Sequence, residues 1–135
     1  MLFRLKQSQI KQLKNEAYSS NPIEACALLF GKISKTVYLV KKIVVATNAL
    51  NSRVEFAINP QFFVVELKKA EKEGLDLVGF FHSHPAKAYP SAVDLENMKL
   101  WTNTLWLIFS LTEDKIAAYM IRKNTLEKIE LKTES

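Results

Sequence analysis

A chain of 135 residues has material for one domain core and not for two. With 48% hydrophobic and 24% charged residues, only three glycines and four prolines, it is neither disordered nor linker-like. An excess of 19 Lys and Arg over 14 Asp and Glu, +5 in all, permits an acidic partner without demanding nucleic acid, and a single cysteine excludes a disulfide framework.

In residues 1–7 charged side chains interrupt the apolar ones every few positions, which is neither a secretory core nor a membrane span. The longest apolar stretches, residues 25–30 and 105–109, are strand-length. Together with the unpaired Cys26 this leads to the expectation of a cytoplasmic protein with no membrane partner. Residues 7–19 read as a helix, because Ile10, Leu13 and Ala17 recur at three- and four-residue steps, and Asn21-Pro22 stops it. Residues 23–30 and 36–45 read as strands joined through Gly31, and residues 54–58 as a further short strand after a polar loop.

Asn59-Pro60 opens a second helix, with Asn59 as cap and Pro60 where its missing N–H costs nothing; Gly74 ends it. Residues 75–81 form a β-type run into His82-Ser83-His84-Pro85, and Ser91 caps a third helix running to Trp101. Three last strands are predicted over 105–111, 116–122 and 125–131, with turns at Glu113-Asp114 and Lys123-Asn124. The order α-β-β-β-α-β-α-β-β-β indicates an α/β domain with a mixed sheet and helices on its faces.

Both histidines of the chain lie two residues apart, and in an extended segment such residues point the same way. Asp94, ten residues on, sits in the first turn of a helix, where a carboxylate is favoured and can turn back towards the strand end. Two His and one Asp suit zinc and leave a fourth position open for water. Amide hydrolysis then needs a group to carry a proton from the water to the leaving amine. Glu24 stands out for that role, since it alone interrupts the apolar run of residues 23–30; a solvated strand-edge carboxylate is the competing reading. Ser91 can offer its hydroxyl to a developing oxyanion, or serve simply as a helix cap. Cys26 reads as a small buried hydrophobe, and Trp101 and Trp106 as core or rim packing.

Taken together, Pro22-Ile23-Glu24-Ala25-Cys26-Ala27-Leu28-Leu29-Phe30-Gly31, then Gly79-Phe80-Phe81-His82-Ser83-His84-Pro85, then Ser91-Ala92-Val93-Asp94, closely resemble the JAMM (MPN+) metalloprotease motif. The resemblance runs over nearly the whole chain, so residues 1–135 are expected to form one such domain. It implies a cytidine deaminase-like fold, a mixed curved β-sheet flanked by helices. It also implies one Zn²⁺ per chain on His82, His84 and Asp94, with Glu24 as general base and acid and Ser91 stabilising the tetrahedral intermediate. The implied partner is ubiquitin, a ubiquitin-like protein or its conjugates, cleaved after a C-terminal Gly-Gly; the +5 charge would assist docking of an acidic modifier. The alternatives are a peptidase that releases an amino acid from a sulfur-carrier protein, and a non-catalytic MPN scaffold. Six residues separate His84 from Ser91 where many family members have seven, so the connecting loop must be tighter. Lysines spread along the chain, without a recognition helix, speak against a nucleic-acid partner, and the strand expected at residues 54–58 offers an edge to which a modifier tail could add.

Overall fold

The computed structural model describes residues 1–135. Its first element is a strand that the sequence pattern does not predict: β1 (Leu2–Lys6) buries Phe3 and Leu5 and turns Arg4 and Lys6 outward. It leads directly into α1 (Gln7–Ser20), which buries Leu13 and Ala17, two of the three positions whose spacing predicts it. β2 (Cys26–Ile33) and β3 (Val37–Ala46) follow as an antiparallel pair, with the Ser34 Oγ accepting the Val37 N–H in the turn at 3.0 Å. α2 (Pro60–Lys72) starts as expected, the Asn59 side chain accepting the N–H groups of Gln61 and Phe62. Gly74 then leaves the helix at φ 74°, a conformation that favours glycine.

β4 (Asp76–His84) runs three residues beyond the predicted end of its strand, because residues 79–84 pair in parallel with β5 (Leu105–Ser110). The two strands meet so closely at Gly79 that a Cβ there would lie 1.9 Å from the Leu105 carbonyl oxygen. That approach sets the register which places His82 beside Ile108 and His84 beside Ser110. α3 (Ala92–Leu100) makes the crossover between these parallel strands. β6 (Lys115–Arg122) and β7 (Thr125–Glu134) close the chain as a hairpin, with Lys123 and Asn124 at φ 50° and 62° in the two-residue turn.

The expected mixed α/β fold with three flanking helices forms. The strand order is β1-β3-β2-β4-β5-β6-β7, and the sheet curves until it closes, since β1 pairs in parallel with both β3 and β7. Alternation along each strand sorts the core into two layers. Phe3, Leu5, Ala27, Leu29, Phe81, Leu107 and Phe109 pack around Leu13 and Ala17 of α1. Leu28, Phe30, Phe80, Trp106 and Ile108 pack against α2 and α3 through Ala70 and Met98. Each such fully buried side chain contributes roughly 1.5–3 kcal/mol. No helix is long and apolar enough to cross a membrane.

The strand expected over residues 54–58 does not form. The side chain of Asn48 takes the place of a ladder there, donating to the Glu55 carbonyl and accepting the Ala57 N–H, so the segment belongs to a loop rather than to the sheet. Nor is Glu24 in a strand: β2 begins at Cys26, and the Glu24 N–H donates to the Ser52 carbonyl instead.

Candidate metal centre

His82 and His84 lie at the end of β4 on the face covered by α3, 0% and 5% exposed. Their Nε2 atoms are 3.1 Å apart. Asp94 enters from the first turn of α3, and its Oδ2 lies 3.0 Å from His82 Nε2 and 2.9 Å from His84 Nε2. Ser91 holds this carboxylate by a reciprocal cap, its N–H donating to Asp94 Oδ2 at 2.9 Å and its Oγ accepting the Asp94 N–H at 3.1 Å. The Ser91 hydroxyl proton is not used in that cap, so capping and donation to a developing oxyanion are compatible.

Three lone-pair-bearing atoms thus converge in a buried space, an arrangement that repels itself unless a cation or shared protons sit among them. Zinc with N and O ligands at about 2.0–2.2 Å in tetrahedral array needs donors roughly 3.3 Å apart. The observed triangle of 2.9–3.1 Å is within a few tenths of an ångström of that. The surroundings favour the same use. His84 Nδ1–H donates to the Lys87 carbonyl at 3.2 Å, a tautomer that turns the Nε2 lone pair to the centre. The ring of His82 is held by stacking on Phe56, at 4.7 Å between centroids, while its buried Nδ1 has no partner.

Glu24 joins the two histidines in a wider group whose donor atoms lie within 4.8 Å of one another. It is 2% exposed, its Oε2 is 3.8 Å from His84 Nε2, and its Oε1 has no hydrogen-bond partner. The carboxylate therefore stands just outside the tight triangle, and the competing reading of a solvated strand-edge carboxylate is not what the fold provides. Burial, with help from the Asp94 and Glu55 charges and against that of His84, pushes its carboxyl up to about 8. Burial acts in the same direction on Asp94, but hydrogen bonds from both histidines, the charge of His82 and the Ser91 N–H outweigh it and hold that carboxyl well below the usual range. Burial pulls His82 down. It pulls at His84 as well, yet the Asp94 hydrogen bond and charge, the Lys87 carbonyl and Glu24 together raise that imidazole.

All five residues singled out in the sequence, Glu24, His82, His84, Ser91 and Asp94, thus come together at one end of the sheet. Three others at the site escaped the sequence reading. Ser83 lies between the histidines but faces away from them, its Oγ accepting the Ala25 N–H at 2.9 Å. Asn48 donates to the Glu24 carbonyl at 3.1 Å from a loop whose composition carries no signal of it. Phe56 falls in the segment whose composition predicts a strand, and nothing in that pattern marks its contact with His82. Trp106 is buried and Trp101 sits at the rim, and with Phe56, Phe63 and Phe80 they line a cavity of about 350 Å³ beside His82.

Residues 6–124 match the family model of prokaryotic homologues of the JAB domain. A Pyrococcus furiosus protein named desampylase is 38% identical over 117 residues, covering 86% of this chain and 80% of its own length. A desampylase of Haloferax volcanii is 33% identical over 105 residues, covering 76% of this chain and 73% of its own. Among solved structures, the solution structure of a Desulfitobacterium hafniense protein superposes with a TM-score of 0.83 at 27% identity, over 99% of this chain and 93% of that one. One from Salinibacter ruber shares the fold, at 0.73 and 23% identity over 99% and 92%. With this likeness extending over most of its length, and the family's motif residues gathered at one site, the chain belongs to the prokaryotic JAB family and is a JAMM-type hydrolase.

Proposed function

We propose that this protein detaches ubiquitin-like modifiers from their conjugates by hydrolysing the bond after the modifier's C-terminal Gly-Gly, with one Zn²⁺ held by His82, His84 and Asp94. The observation that carries this reading is the convergence of those three donor atoms within 3.1 Å beside a buried carboxylate that has an unpartnered oxygen. The name of the two desampylase relatives, which denotes removal of a ubiquitin-like modifier, supports it. Zinc in such a site acidifies water and polarises the scissile carbonyl.

The protein's own groups do the rest. Glu24, free at Oε1 and raised towards neutrality by burial, takes a proton from water and returns it to the leaving amine. Asp94 stays ionised and anchored by Ser91, so the charge that complements the metal is fixed in place. The Ser91 O–H donates to the oxygen that becomes negative as the carbonyl is attacked, an interaction worth about 3–4 kcal/mol in comparable sites. A tail of glycines suits the narrow approach, because only glycine lets backbone come so close to a buried centre. The tail's route passes Phe56, Ala57 and Ile58, which border the aromatic cavity, although no strand edge receives it there. The +5 charge favours an acidic modifier, and the buried, unpaired Cys26 suits a reducing cytoplasm. An intact donor set speaks against the scaffold alternative.

The test is cleavage of a Gly-Gly-tailed ubiquitin-like modifier fused to a reporter lysine, with zinc and with a chelator. Chelation abolishes turnover, and Glu24→Gln lowers kcat by about 10²–10⁴ while elemental analysis still finds one zinc per chain. Unchanged turnover in Glu24→Gln overturns the mechanism.

A further inference from the structure

The Glu24 carboxylate has no hydrogen bond of its own, so nothing at the tip of the side chain fixes it. Its place is set by the main chain beneath, and that main chain lies before β2, outside the ladder. Two buried side chains, together with two main-chain groups, take the place of the ladder. On one side Asn48, 8% exposed, donates from Nδ2 to the Glu24 carbonyl at 3.1 Å, and the Glu24 N–H donates to the carbonyl of Ser52 at 2.9 Å. The same Asn48 amide donates to the carbonyls of Ser52 and Glu55, and its Oδ1 accepts the N–H groups of Leu50 and Ala57. On the other side Ser83, fully buried, accepts the Ala25 N–H through Oγ at 2.9 Å and donates its own N–H to the Ala25 carbonyl at 3.1 Å.

All four main-chain polar groups of Glu24 and Ala25 are therefore bound, and each grip leads to a different part of the centre. Asn48 belongs to the loop that carries Phe56, the ring stacked on His82. Ser83 sits on β4 between His82 and His84. We propose that Asn48 and Ser83 are the positioning residues of Glu24, gripping the main chain of residues 24–25 from opposite sides and so registering the carboxylate against the histidine pair. This rests on the reading of Glu24 as the proton carrier. Removing either grip leaves the donor triangle of His82, His84 and Asp94 in place and lets the carboxylate wander, and displacement of a reacting group by about 1 Å costs up to a hundredfold in rate.

The experiment compares Asn48→Ala and Ser83→Ala with the unaltered protein, using the same modifier fusion. In each variant kcat falls between about tenfold and a hundredfold, KM changes less than about twofold, and zinc content stays at one per chain. Amide hydrogen exchange supplies a readout without substrate: the Glu24 amide exchanges faster in Asn48→Ala and the Ala25 amide in Ser83→Ala, while the amides of β5 and β6 do not change. A rise in KM at constant kcat assigns Asn48 to substrate binding instead and overturns the proposal, as do zinc loss parallel to activity loss or unchanged exchange at both amides. Faster exchange at Glu24 and Ala25 in a protein that cleaves no fusion upholds the grip and rejects the proposed activity. Normal cleavage with neither kcat nor exchange altered does the reverse.

Discussion

Residues matter at this site through what surrounds them more than through their type. Glu24 is an ordinary glutamate whose carboxyl burial pushes from 4.5 up to about 8, so in the metal-free protein its ionisation opposes folding. The stability it lends is complete below about pH 4.5 and is lost as the pH rises through about 8. In metal-free protein Glu24→Gln is therefore expected to be neutral at pH 4 and stabilising by about 1–3 kcal/mol at pH 9, measured by urea unfolding at both. A substitution that stabilises equally at both pH values would contradict that assignment. Cys26 shows the same physics in a residue with no role in the chemistry: burial first and the Glu24 charge second push its thiol up to about 12. Iodoacetamide at pH 8 should leave it unmodified in the folded protein and alkylate it fully in urea, which intact mass measures directly.

At the scale of elements, β1 is where local sequence and final structure part company. Five residues with charges between apolar ones carry little β signal, and the strand exists because Leu2 finds Val37 on one side and Glu130 on the other. Arg4 pairs with Glu134 across that second seam. Phe3, 0% exposed in the layer around α1, should make the seam costly to disturb. Phe3→Ala is expected to lower unfolding free energy by about 3–5 kcal/mol without disturbing the donor triangle, because β4 does not neighbour β1 in the sheet. A loss under about 1 kcal/mol, by chemical denaturation, would mean that β1 contributes little to closure. The segment 54–58 errs in the opposite sense: it has the residues of a strand, and Asn48 claims its backbone groups.

The whole molecule is a closed sheet with α1 on one face and α2 and α3 on the other, and the donor triangle sits where β4 meets α3. A ligand bound only by the folded form stabilises all of it at once. If the proposed function holds, zinc at a hundred times its Kd contributes about 2.7 kcal/mol. For a chain of this length that is a rise in Tm of roughly 10 °C, reversed by a chelator. A Tm indifferent to both would rule the metal out. What the sequence determined by itself was the set of side chains that the structure brings together: His82 and His84 at strand spacing, Asp94 in the first turn of a capped helix, and a lone Glu24 in an apolar run. Those are short-range relations, set by the two-residue period of a strand and by capping, and they survive without knowledge of the fold. Only the tertiary structure decided that β1 closes the sheet, that Glu24 is buried rather than wet, and that Asn48, Ser83 and Phe56 hold the centre. Each of those depends on residues between 24 and 128 positions apart meeting in space, as Asn48 and Glu24, or Leu2 and Glu130, do. No local pattern encodes such meetings, because they follow from how the whole sheet closes.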